Sequence, residues 1–268
     1  MRKSITALTM IATWGALSPA SAQQGYVYES TNTASGETMT SVMSVLGDRI
    51  KVELGGAGVP MGTMIFDGDK LIASDGQQYY ELTEETLQQL VGAMAGAQGL
   101  MAQAMAQARE NMTEEELAQL EQMGIPGFGG DEAQAAPESS RAGSIGTEST
   151  PLGSCTMYRW EYPDGTPDQD LCLSDDPVVG FEESKAAFKA LAEFMKPMQD
   201  AMANSPIAGM QRNPLERMGD VENLPLMGVQ YVNGESVSEW TITSAREADL
   251  SPVDFGPPDL PKAEIPIG

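Results

Sequence analysis

From Tyr26 to Leu82, apolar and aromatic residues recur at every second position in short runs separated by turn residues. Tyr26 with Tyr28, then Ile50, Val52 and Leu54 set against Arg49, Lys51 and Glu53, each mark a strand with one buried and one wet face. Met64 with Phe66, Leu71 with Ala73, and Tyr80 with Leu82 continue the pattern. Ser35-Gly36, Gly47-Asp48, Asp67-Gly68 and Asp75-Gly76 punctuate the runs, and Asp-Gly tolerates the positive φ that a tight hairpin demands. The pattern predicts a meander of about six antiparallel strands ahead of the first helix.

The period then lengthens. Thr83 is placed as an N-cap before Glu84 and Glu85, and Leu87, Val91, Met94, Met101, Met105 and Met112 recur at steps of three, four or their multiples, giving one apolar stripe. Glycines at 92, 96 and 99 weaken this helix but allow close packing. A capping box from Thr113 to Glu116 starts a second short helix through Met123. Gly124 to Ser154 shifts to Gly, Ala, Ser, Pro and Glu and predicts a flexible insertion.

Period two returns with Tyr158, Trp160 and Tyr162, and Pro163-Asp164-Gly165 supplies the turn. With the turn there, Cys155 and Cys172 fall within two residues of opposite positions, so a disulfide staples the hairpin. Phe181 to Met202 reads as another amphipathic helix, with Phe188, Leu191, Met195, Met198 and Met202 on one side and a kink at Pro197. Gly228 to Asn233 and Val237 to Ser244 form a closing hairpin around Asn233-Gly234, with Trp240 and Ile242 on one face. Pro252, Pro257, Pro258, Pro261 and Pro266 mark an extended tail suited to covering a sheet edge.

Composition adds a compartment. Arg2 and Lys3, the apolar run Ile5 to Leu17 and Ala20-Ser21-Ala22 form an export signal that predicts cleavage after Ala22. It reads as bacterial, with a eukaryotic secretory signal as the alternative; no Cys follows the cleavage site to carry a lipid anchor. The expected location is the periplasm or beyond. Fifteen basic against 39 acidic residues give a formal charge of −24, and loss of the leader makes it −26. Such a surface does not bind nucleic acid or anionic head groups, and it favours solubility or a cationic partner. The five glutamines between Leu87 and Ala108 exclude a membrane span there, so no transmembrane helix is expected in the mature chain.

Candidate chemistry is sparse. Histidine is absent, which removes Ser-His, Cys-His and His-metal sites, and Ser154 and Ser174 have no base at a motif spacing. Asp175-Asp176 and Glu182-Glu183 are the chance pairs that 39 acidic residues guarantee. Asp164, Asp168, Asp170, Asp175 and Asp176 lack the ordered spacing of a calcium loop. No catalysis, metal or cofactor is expected. Methionine, 18 of 268 residues, has three readings: core filling, an adaptable apolar surface, or thioether ligation of Cu(I) at Met195, Met198 and Met202.

The order of elements, GYVYES, ETMTSVMS, RIKVEL, TMIFDGDKLIA and QQYYEL, then helix, Cys-bearing hairpin, helix, final strands and Pro-rich end, resembles a family of exported bacterial proteins related in architecture to the LolA/LolB lipoprotein carriers. The resemblance spans most of Tyr26 to Pro258. It implies an α+β fold: one domain over residues 23–258 in which a curved antiparallel β-sheet, an unclosed half-barrel, is covered by amphipathic helices, with residues 259–268 as a tail. It further implies a lipid, acyl chain or other apolar ligand between sheet and helices. Met64, Phe66, Leu71, Tyr80, Tyr158, Trp160 and Trp240 would then line the sheet side, and Met94, Met101, Met105, Phe188 and Met195 the helical lid. The alternative of a different class is an envelope scaffold that engages a protein partner and holds no small ligand.

Overall fold

The computed structural model describes residues 22–56, 59–113, 139–203, 221–232 and 234–265. Six strands come first: β1 (Gln23–Ala34), β2 (Glu37–Leu46), β3 (Arg49–Gly56), β4 (Val59–Phe66), β5 (Lys70–Ser74) and β6 (Tyr79–Thr83). Helix α1 (Glu84–Asn111) follows, then β7 (Ser140–Thr150), β8 (Gly153–Glu161), β9 (Pro167–Ser174), α2 (Phe181–Ala203), β10 (Pro225–Val232), β11 (Glu235–Leu250), a 3-10 turn (Pro252–Phe255) and β12 (Lys262–Ala263). The strands form one open, curved sheet in the order β12-β6-β5-β4-β3-β2-β1-β11-β10-β9-β8-β7. Every pairing is antiparallel except β12 with β6.

The turns sit where the glycine pattern places them. Ser35 and Gly36 both adopt positive φ, 52° and 81°, as a two-residue hairpin loop requires. The Asp67 and Asp75 carboxylates accept backbone N–H groups from the residues two and three positions on, closing Asx turns. At the start of α1, Thr83 Oγ1 accepts the Thr86 N–H at 3.2 Å, the expected cap.

Register fixes which residues share a face, since directly opposed residues project the same way. Tyr26, Val45, Ile50, Phe66, Leu71 and Leu82 form one transverse row on β1 to β6, and Tyr28, Met43, Val52, Met64, Ala73 and Tyr80 form the next. Helix α2 packs on this face. The Tyr28 hydroxyl donates to Val179 O and pairs with Ser184 Oγ at 3.0 Å, and the rings of Phe66 and Phe194 meet at 5.5 Å between centroids. Phe181, Ala187, Phe188 and Leu191 are buried in the same cluster. Helix α1 lies against β6 and α2, with Leu87 buried near its start and Leu100 exposed further along.

A second, smaller cluster occupies the opposite face. Leu46, Ile65 and Ile72 are covered by Phe255 from the 3-10 turn, and the tail then reaches the sheet edge, where β12 pairs with β6.

Two expectations are corrected. Ser140 to Thr150 lies inside the span read as flexible insertion, yet it is strand β7, paired with β8. It escaped the pattern because it is an edge strand with nearly every side chain exposed, so it has no apolar face to betray it. Strand β11 runs six residues beyond Ser244 because, past its partner β10, it continues against β1. Within the tail, Lys262 and Ala263 pair with β6 at the sheet edge, the place expected of it. The second short helix from Thr113 lies outside the described residues, as do the leader and residues 124–138 of the insertion.

Candidate functional site

Strands β8 and β9 are joined by the Cys155–Cys172 disulfide, and β9 is buried on both faces from Asp170 to Ser174. Register pairs Met157 with Cys172 and Cys155 with Ser174, which sets the two cysteines diagonally on the face turned away from α2. Arg159 and Asp170 are opposed on that face. The guanidinium donates to both carboxylate oxygens, at 2.8 and 2.7 Å, and the Tyr231 hydroxyl adds a third bond at 2.8 Å. Asp170 is buried, so this bidentate pair orders the β8-β9-β10 wing; its hydrogen bonds raise the Arg159 pKa further, while burial and then the hydrogen bond to Asp170 raise that of Tyr231.

The space expected between sheet and helices is filled where α2 lies. Phe66 and Phe188 are 1% and 3% exposed and belong to the core, and Trp160 is buried in the same cluster. Leu71 and Met195 pack against it half-buried. Met64 and Tyr80 are half-buried in the second row, with Gln78 Nε2 donating to the Tyr80 hydroxyl. Met94 is half-buried on α1; the side chains of Met101 and Met105, and that of Met202 on α2, lie outside the described ones. The predicted site residues therefore divide: Phe66, Phe188 and Trp160 are buried in the core, and Tyr158 and Trp240 are half-buried on the α2 face, packed against the same cluster.

Those two belong to a row that pattern reasoning did not identify. On the α2 face, two pleats along β1 from Tyr28, register aligns Tyr158, Leu171, Gly228, Trp240, Asn32, Met39 and Gly56 across β8, β9, β10, β11, β1, β2 and β3. Gly228 is there because Trp240 lies on it: a Cβ at that position would stand 2.6 Å from the indole Nε1. Gly56 similarly lies under Met61, whose sulfur would be 2.8 Å from a Cβ, with Met39 adjacent. Met61 and Leu54 are 55% and 47% exposed, an apolar margin on the β3-β4 side. Within the row, Asn32 Oδ1 is buried and has no hydrogen-bond partner among the described residues. Such an acceptor forfeits about 1 to 3 kcal/mol until a donor reaches it.

At the other end of the row stands Arg141 on β7. Two bulges, between Arg141 and Gly143 and between Ser144 and Gly146, re-aim this strand, with Gly143 and Gly146 in backbone conformations closed to other residues. The Arg141 guanidinium lies 3.5 Å from the Tyr158 ring centroid and 5.8 Å from that of Trp160. Among the described residues, no three or more Cys, Asp or Glu side chains gather to hold a metal ion. No described helix is long and apolar enough to cross a membrane.

No protein-family model and no curated protein sequence matches the chain. Among solved structures, MucB in complex with the periplasmic part of MucA is similar at 10% identity and a TM-score of 0.36, over 90% of this chain and 56% of that one. The MucA/MucB complex of Pseudomonas aeruginosa is similar at 11% identity and a TM-score of 0.35, over 88% of this chain and again 56% of the other. The chain thus spans little more than half the length of these neighbours, and at such TM-scores the likeness carries no conclusion about function.

Proposed function

We propose that this is an exported, non-catalytic binding protein of the bacterial envelope, and that the Trp240–Asn32–Met39 row receives a segment of a partner protein. The observation that carries the reading is the division of one sheet face. Where α2 covers it, aromatic and aliphatic side chains fill the space; beyond the helix the same face continues as a half-buried apolar row with an orphan acceptor in the middle. A peptide segment supplies both needs, apolar side chains for Trp240, Met39 and Met61 and a backbone N–H for Asn32. The export signal and the acidic charge fit a soluble envelope location.

An acyl chain on the same row is the second reading, favoured by the run of aromatic and thioether groups, but it would leave Asn32 Oδ1 without a donor. A photo-crosslinking residue at Met61, in the exported protein, separates the two. The expected result is a discrete protein adduct that disappears in Met39→Glu and persists in Glu53→Gln, which alters the opposite face. Adducts to lipid alone, or an adduct indifferent to Met39→Glu, would sink the partner-protein reading.

A further inference from the structure

We infer that Arg141 and Tyr158, at the β7 end of the row, form a binding site for an aromatic or amphiphilic anion, a single sulfonate, phosphate or carboxylate carried on an apolar body. Acidic residues outnumber basic ones 39 to 15, and among the described side chains Lys51, Lys70, Arg159, Lys185, Lys189, Lys196, Arg246 and Lys262 each stand within ion-pair distance of a carboxylate. Arg49 has none but donates from Nε to Asp67 O; Arg141 has none either, and it makes no hydrogen bond to the described residues although its side chain is exposed in a chain rich in acceptors.

Its position is nonetheless fixed. Stacking at 3.5 Å on Tyr158 desolvates one face of the guanidinium, and the paired bulges of β7 set the strand so that Arg141 lies opposite Trp160. A guanidinium seated over a ring still has its N–H donors for an anion, and their planar fork grips a planar or tetrahedral one bidentately. Beside those donors, half-buried Tyr158 offers an apolar surface for the body of the ligand. A plain inorganic anion would use the donors and leave that surface wet; an aromatic or acyl anion uses both.

The test uses two dyes with the same aromatic skeleton, 1-anilinonaphthalene-8-sulfonate and neutral N-phenyl-1-naphthylamine, on the full exported chain. Arg141→Gln is expected to weaken the sulfonate by about tenfold while leaving the neutral dye unchanged. Arg141→Lys, which keeps the charge without the planar fork, is expected to fall near the glutamine variant. Because Arg141 is exposed, circular dichroism should report an unaltered fold in both. Benzenesulfonate should displace the anionic dye at concentrations where inorganic sulfate does not. Equal effects of Arg141→Gln on both dyes, no effect on either, absence of sulfonate binding, or displacement by sulfate as effective as by benzenesulfonate would each overturn the inference. None of these outcomes bears on the partner-protein row, whose crosslinking readout is independent.

Discussion

Replacing both half-cystines, as Cys155→Ala with Cys172→Ala, tests the physical account of the β8-β9 wing most directly. The crosslink joins residues 17 apart, and on the chain-entropy argument a loop of that size stabilises the folded state by about 3 kcal/mol through restriction of the unfolded chain. Both sulfurs are fully buried beside Met157, so the truncation also leaves a small void worth about 1 kcal/mol. The sum, about 3 to 4 kcal/mol, corresponds to a fall in melting temperature of about 6 to 16 °C for a domain of this size. Urea denaturation followed by tryptophan fluorescence measures it, with a lower midpoint and a steeper dependence on urea, because the unlinked unfolded chain exposes more surface. The wild-type bond should also resist reductant until the hairpin opens. A loss below about 1 kcal/mol would refute the argument, since it would mean that the β8-β9 hairpin persists in the unfolded chain.

Three further outcomes follow from particular contacts. Burial raises the Tyr28 phenol to about 12, and the folded state therefore holds it neutral. Because the folded value exceeds the unfolded one, the associated stability, about 2 to 3 kcal/mol, is complete below pH ~10 and disappears between ~10 and ~12; alkaline unfolding should follow tyrosinate absorbance, and Tyr28→Phe should remove that dependence. Gly228→Val drives a side chain into the indole of Trp240, so the ring must leave the row; a red-shifted fluorescence and a loss of about 1 to 3 kcal/mol are expected, and an unchanged spectrum would contradict the packing. Lys262, with Lys70, lowers the pKa of Glu81, so the tail's tie to β6 is present above the ordinary glutamate range, near pH ~4.3, and is lost as acid carries pH through the lowered value. Hydrogen exchange at the Tyr79 amide, which donates to Pro261 O, should then accelerate before the core opens.

Much of the fold was legible because its first half obeys local rules. The six strands to Thr83, their turns and the cap on α1 are dictated by period two, by Gly and Asp at turns and by one threonine, all of which act over a few residues. The cysteine offset was legible for the same reason: a hairpin turn fixes which positions oppose. Strand β7 was not, because an exposed edge strand takes its conformation from the partner's backbone and needs no apolar alternation. The Trp240–Asn32–Met39 row was also hidden. It depends on β11 pairing with β1, two strands more than 200 residues apart in sequence, and on glycines that make room for a distant ring, neither of which leaves a local signature. Arg141 leaves no local signature either, since the bulges of β7 and its pairing with β8 are what bring it to Tyr158.

How the sheet ends limits how a partner can be held. An open antiparallel sheet offers two edges to strand addition, and a long flat edge would make that mode the default. Here both edges are treated. At one, β12 pairs with Tyr79 and Tyr80 while Phe255 anchors the tail over Ile65 and Ile72, and Lys262 adds an ion pair with Glu81. At the other, two bulges within the first seven residues of β7 interrupt the regular spacing of donors and acceptors that an incoming strand would need. With edge pairing disfavoured on both sides, recognition is left to side chains projecting from a face. On the α2 face the helix has already claimed the rows of Phe66 and Tyr28, so the partner segment proposed above would meet the row of Trp240, Asn32 and Met39, where apolar contact lies beside an acceptor unmet among the described residues.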